Sequence, residues 1–234
     1  MFSQFCVAGL FVLLVLPVSA RELDFSGYRW VVRSSEGREE GPGPNVFSGA
    51  PESVDVDTEG KLHLFVRREG ARWICSEVVL DRPLGYGSYE VEVETNPSEM
   101  DRQAVFGFFT YSTSAEKNHR ELDVELSYWG EPSGQNAQFA VQPWSAPNSL
   151  NRFNVDHSNT PYTIRWTKDA VTFMAREVGG RVLHHWVRKE KIPDPGDARI
   201  DMNMWLVKGV QPHNNGSIEF VIKRFLFIPE SGLR

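Results

Sequence analysis

The sequence predicts an all-β fold, a sandwich of antiparallel strands, on three observations. Apolar and polar residues alternate with a period of two in residues 61–66, 88–94, 163–166 and 199–205, the pattern of strands with one face in a core and the other turned outward. Turn residues separate these runs at hairpin intervals: Gly-Pro-Gly-Pro at 41–44, Glu59-Gly60, Gly85-Tyr86-Gly87, Gly179-Gly180, Pro193-Asp194-Pro195-Gly196 and Asn214-Asn215-Gly216. No long segment carries the 3.6-residue period of a helix. At 234 residues, 41% hydrophobic and 24% charged, the chain can build one sizeable core, and neither a repeat nor a linker argues for a second domain.

Taken in order, the chain opens on a leader. Residues 1–20 contain no charged side chain, run apolar from Cys6 to Val18 and end in Val18-Ser19-Ala20. That run is short for a membrane span, and Val18 and Ala20 are the small residues signal peptidase needs. The expectation is a secretory signal cut after Ala20, although its start lacks Lys or Arg. Residues 21–234 are then the mature domain, extracellular or periplasmic, monomeric and free of the membrane. Cys75 becomes its only cysteine, so no internal disulfide can form and the thiol is expected to be a small buried hydrophobe.

The stretch with chemistry in it is Arg120-Glu121-Leu122-Asp123-Val124-Glu125-Leu126. On a strand, Glu121, Asp123 and Glu125 line one face while Leu122, Val124 and Leu126 pack behind them. Such a row of like charges raises the energy of full ionisation. At roughly 3.3 Å per residue the two Glu α-carbons lie about 13 Å apart, and side chains leaning together bring the carboxyls to about 5 to 6 Å, the separation of nucleophile and acid in a retaining glycosidase. Asp123, about 7 Å along the backbone from each, can share a proton with one of them and push their pKa values apart. The alternative is a half-exposed strand whose outer face is merely acidic.

Other constellations carry less. His184-His185 are strand neighbours facing opposite ways, so they cannot bind one ion together. Asp156-His157-Ser158 has triad residue types in a polar loop, where sequence neighbours rarely have triad geometry. Asn215-Gly216-Ser217 is both a glycosylation acceptor and a hairpin turn. The net charge of −6, with no basic run beyond Arg67-Arg68, excludes nucleic acid as a natural partner. Seven Trp, with Trp129 and Trp144 just after the acidic strand, suit stacking on sugar rings; Trp205 is the best candidate to reach a cleft, because Asn203 projects on its side of the strand.

These residues together resemble glycoside hydrolase family 16. Glu121-Leu122-Asp123-Val124-Glu125 matches its ExDxE signature. Around it, Cys75-Ser76-Glu77, Gly85-Tyr86-Gly87-Ser88-Tyr89-Glu90-Val91, Phe108-Phe109-Thr110-Tyr111, Gln138-Phe139, Tyr162-Thr163-Ile164-Arg165-Trp166, Ile192-Pro193 and Met202-Asn203-Met204-Trp205 fall in the order seen in the lichenase group. The resemblance spans residues 40–228. It implies a β-jelly roll of two curved antiparallel sheets, the concanavalin A-like lectin/glucanase fold, with a β-glucan chain lying in an open cleft. It implies Glu121 as nucleophile, Asp123 as its electrostatic partner and Glu125 as acid/base, with Glu77, Phe109, Tyr111, His119, Gln138, Asn203 and Trp205 in the sugar subsites. The uninterrupted spacing is similar to that of lichenases and xyloglucan transferases; relatives with one more residue before the second Glu have a bulged strand.

The chain departs from that group at several positions. His119 stands where a stacking Trp is usual, Ala140 where an Asn follows Gln138-Phe139, and no cysteine near Val46 partners Cys75. Val221 occupies the place of a calcium-binding Asp, so no metal or other cofactor is expected. The expectation is a secreted endo-acting retaining hydrolase of a β-glucan or related polysaccharide. The alternatives are a xyloglucan-type transglycosylase and a non-catalytic sugar-binding protein on the same fold.

Overall fold

The computed structural model describes residues 20–115 and 118–232; the expected leader, Ala20 aside, lies outside them. The described strands are β1 (Glu22–Phe25), β2 (Tyr28–Val32), β3 (Val46–Phe47), β4 (Val54–Val56), β5 (Leu62–Glu69), β6 (Arg72–Leu80), β7 (Gly87–Val93), β8 (Ala104–Tyr111), β9 (Leu122–Leu126), β10 (Ala137–Val141), β11 (Leu150–Phe153), β12 (Thr160–Trp166), β13 (Val171–Arg176), β14 (Val182–Arg188), β15 (Arg199–Leu206) and β16 (Ile218–Pro229). Helical segments among the described residues are single 3-10 turns of three residues each. No helix among them is long and apolar enough to cross a membrane.

The strands form two sheets. In the first the order is β11-β10-β9-β8-β15-β6-β2-β1, and in the second β4-β5-β16-β7-β12-β13-β14. Every pairing is antiparallel except the short β3 against β6, and the far end of the β5–β6 hairpin, Arg67 to Arg72, joins the two sheets. This is the β-jelly roll. Strand alternation fills the space between them: Leu122, Val124 and Leu126 of β9, and Phe106 and Phe108 of β8, are fully buried. Phe106 stacks on Phe220 of the opposite sheet at 4.0 Å and Phe139 on Phe173 at 5.1 Å. Each such side chain contributes about 1.5 to 3 kcal/mol by leaving water. Because these positions are locked inward, the intervening residues of the first sheet must face the other way.

Cys75 is buried beside Phe47, and burial pushes its thiol up to about 12. Where the resembled group has a disulfide, Asn45 makes the connection by hydrogen bonds. Its Oδ1 accepts from Cys75 Sγ at 3.3 Å and its Nδ2 donates to Pro42 O at 2.7 Å and Leu206 O at 2.9 Å. The 41–44 turn is thereby fastened to β6 and β15. Gly41 and Pro42 form part of the wall of the cleft described next.

Candidate active site

The outward face of the first sheet holds a cavity of about 620 Å³. Register explains its lining. Asp123 lies opposite Phe109, which lies opposite Asp201; Glu125 lies opposite Gly107, which lies opposite Asn203, which lies opposite Glu77. The pairing of β8 with β9 runs without a bulge, so alternation is preserved and all these positions share the cleft face. Of the residues expected at the site, Glu121, Asp123, Glu125, Glu77, Phe109, Tyr111, Asn203 and Trp205 line the cavity.

Glu121 sits one residue before β9, after a turn in which Asn118, His119 and Arg120 all have left-handed φ angles of 54°, 46° and 55°. Three consecutive non-glycine residues in that region are costly. The buried Thr110 holds the turn in place: its hydroxyl donates to Arg120 O at 2.7 Å and accepts from Leu122 N at 3.0 Å. Arg120 bridges to Asp194 at 2.6 Å. The same turn carries His119 to the rim, stacked on Tyr111 at 4.5 Å with Nδ1 3.0 Å from Ser112 O, outside the cavity lining. Gln138 is also not part of the open wall. It is buried next to Glu125, donates to that carboxylate through Nε2, and accepts at Oε1 from Arg152 Nε at 3.0 Å.

The three carboxyls of the acidic row are in different electrical states. Burial pushes Glu125 up to about 7, with the charge of Glu121 adding to it and hydrogen bonds from Gln138 and Trp129 opposing it. Burial raises Asp123 well above the usual carboxylate range, and the charges of Glu121 and Glu125 raise it further. Glu121 is raised by burial as well, but its hydrogen bond with Asp123 pulls it back. That bond favours the proton on Asp123 and the charge on Glu121. Gln142 Nε2 donates to Asp123 Oδ2 at 2.9 Å and opposes part of this rise. The row can thus present an anionic Glu121 and a protonated Glu125 together near neutral pH, which is what two-step displacement at a sugar requires.

The profile of the glycosyl hydrolases family 16 matches residues 46–221, three quarters of the chain, including the acidic row and the β6, β8 and β15 positions that face it. The chain belongs to glycoside hydrolase family 16. Solved structures agree in fold. A prokaryotic β-1,3-1,4-glucanase (lichenase) derived from a mouse hindgut metagenome superposes with a TM-score of 0.65 at 17% identity, covering 86% of this chain and 92% of that one. Bacillus licheniformis β-glucanase gives 0.66 at 18% identity, covering 85% and 92%. A laminarinase from Flavobacterium sp. UMI-01 gives 0.62 at 15% identity, covering 85% and 92%. No curated protein sequence matches significantly. As a family 16 member the protein is a glycoside hydrolase.

Several lining residues of this glycoside hydrolase were not singled out in the sequence. Arg33, just past β2, donates to Glu77 and to Glu40, each at 2.9 Å, and to Gly41 O at 3.0 Å. Burial raises Glu77 even against the pull of Arg33. Arg199 and Asp201 continue the alternation of Asn203 and Trp205 backward along β15, and Gln142 continues that of Gln138. Trp129 lies under the guanidinium of Arg152 at 4.1 Å, and Trp144 is exposed. Among the described residues no group of three His, Cys, Asp or Glu side chains is placed to hold a metal ion.

Proposed function

We propose that this family 16 member is a secreted, retaining, endo-acting hydrolase that cleaves internal β-linkages of a β-glucan. Glu121 attacks the anomeric carbon while Glu125 gives its proton to the leaving glycosidic oxygen. A covalent glycosyl-enzyme forms and one sugar chain departs with a new hydroxyl. Glu125, now a carboxylate, takes a proton from water as that water attacks the same carbon, releasing Glu121 and restoring the acid. Asp123, by keeping its own proton against Glu121, holds the nucleophile in its charged form. The observation that carries this reading is the split within one row, in which Glu125 is pushed up to about 7 while Glu121 keeps the charge of the Glu121–Asp123 pair.

The substrate class is supported by the solved relatives described as a lichenase and a laminarinase, and by aromatic side chains, Phe109, Tyr111 and Trp205, along a cleft built from one open sheet face. Export is supported by the apolar run from Cys6 to Val18 that ends in Val18-Ser19-Ala20. A chain acting as a monomer on polysaccharide fits a cleft lined within one chain. Proton NMR of the first product from mixed-linkage β-glucan tests the chemistry: the β-anomer is expected first, and an initial α-anomer would mean inversion and overturn the roles. Chromatography of the same digest is expected to give products shorter than the substrate, whereas products longer than it would identify a transglycosylase.

A further inference from the structure

Two acceptors on β15 have no partner. Asp201 Oδ1 and Asn203 Oδ1 are buried, and among the described residues no donor reaches either. The two residues are 6% and 2% exposed, and both line the cleft. They stand on the same face of one strand, about 6.6 Å apart along it. A Cβ placed on Gly107 would lie 2.6 Å from Asn203 Oδ1, so this oxygen overhangs the bare step between β15 and β9. One strand, β8, separates the pair from the acidic row, which makes two strand spacings or about 10 Å. A sugar chain crossing β9 would place there a unit about one or two removed from the bond being broken.

Neither arginine of this wall answers the need. Arg33 is held by Glu77, Glu40 and the Gly41 carbonyl, and Arg199, two residues before Asp201, donates nothing to Oδ1. A buried acceptor without a donor costs the fold free energy, and proteins keep such groups where a ligand completes them. Adjacent acceptors on one face are complemented by adjacent hydroxyl donors, as on a pyranose ring. We propose that Asp201, together with Asn203, binds a hydroxyl pair of a neighbouring sugar unit and is a specificity-determining residue of the cleft. This rests on the reading of the chain as a glucan hydrolase; the resemblance places Asn203 in the subsites but not Asp201. Burial, then the charge of Glu77, raises the Asp201 carboxyl well above its usual range, so it can meet an uncharged ligand without carrying a bare charge into the site.

The proposal separates binding from stability: a calorimetric titration with a thio-linked β-glucotetraose, which resists hydrolysis, reads the first and a thermal melt of the free protein reads the second. Asp201→Leu removes the unpaired acceptor, so Kd is expected to rise at least tenfold while Tm stays equal or increases. Asp201→Ala, which adds no bulk, is expected to weaken binding likewise. Asp201→Asn keeps Oδ1 and is expected to bind within threefold of the parent. Unchanged Kd in the Leu and Ala variants would overturn the proposal, as would a Leu variant that loses Tm along with binding, or a parent that does not bind the tetraose. Release of reducing ends from β-glucan by the parent is measured separately. Its absence would overturn the proposed function, while the binding comparison would still decide the role of Asp201.

Discussion

The two sheets turn opposite faces outward, and both faces carry carboxylates, in contrasting company. On the second sheet Glu90 is hydrogen-bonded by Arg176, Arg224 and Thr163, Glu92 lies 2.8 Å from Lys223, and His63 stands between Asp57 at 3.1 Å and Glu219 at 2.6 Å. Each of these acids has a basic side chain beside it. In the cleft of the first sheet Asp123 and Asp201 are buried with no cation bonded to them, Glu125 is held by an amide, and Glu77 has an arginine. The same residue type therefore does different work by its surroundings. Pairing at a half-exposed surface makes a carboxylate inert; burial beside its own kind makes it hold a proton at a pH where a free carboxylate would not.

Removing one acid from each face sharpens this contrast. Glu121→Gln is expected to lower glucan hydrolysis by more than about 10³-fold with the fold intact, measured by reducing-end release and a thermal melt. Glu125→Ala is expected to lose about 10² to 10⁴-fold on glucan and much less on activated aryl glycosides, where added azide should restore turnover and yield a β-glycosyl azide. An α-azide would contradict the assignment.

The pH dependence follows from the same row. Glu125 has a folded value of about 7 against an ordinary 4.5, so between those values the folded state binds more protons than the unfolded one. Stability should then fall as pH rises through that window, and Asp123, Glu77 and Asp201, all raised by burial, act in the same direction. His63 adds to this: burial lowers its pKa, but Glu219 and Asp57 outweigh burial and raise it, so its contribution is present at low pH and lost as pH rises through the folded value. Urea midpoints should be higher at pH 5.5 than at pH 8, and Glu125→Gln should shrink the difference. Activity should show an alkaline limb near 7, set by loss of the Glu125 proton.

On the second sheet Glu90→Gln should cost at most about 1 kcal/mol and leave kcat/KM unchanged, since it removes half-exposed pairs far from the cleft. The smallest effect is expected from reducing agent, which should leave Tm where it is because Cys75 is a free thiol.

The fold was legible because alternation and turn residues agree along the chain. The expected strands at 61–66, 88–94, 163–166 and 199–205 correspond to β5, β7, β12 and β15. The acidic row was legible for the same reason, since period two fixes which residues share a face. Arg33 was not: its partner Glu77 is 44 residues away, and no local pattern announces such a pairing. Asp201 and Gln142 were within reach, each being one more step of an alternation already traced through Asn203 and Gln138. His119 shows where alternation stops helping, because the left-handed turn at 118–120 breaks the period just before Glu121.

Asn118, His119 and Arg120 force the chain into β9 at one angle, and from Glu121 to Glu125 the acidic residues succeed one another on a single extended backbone. Their mutual alignment is inherited from the covalent pleat of that segment, independent of how two separate elements dock. If the sheets slide or breathe against each other, the three acids move as one rigid body, and what changes is their height above the cleft floor and the far wall at β15. Thermal motion in this protein should therefore modulate how a sugar chain is gripped well before it disturbs the geometry of bond cleavage.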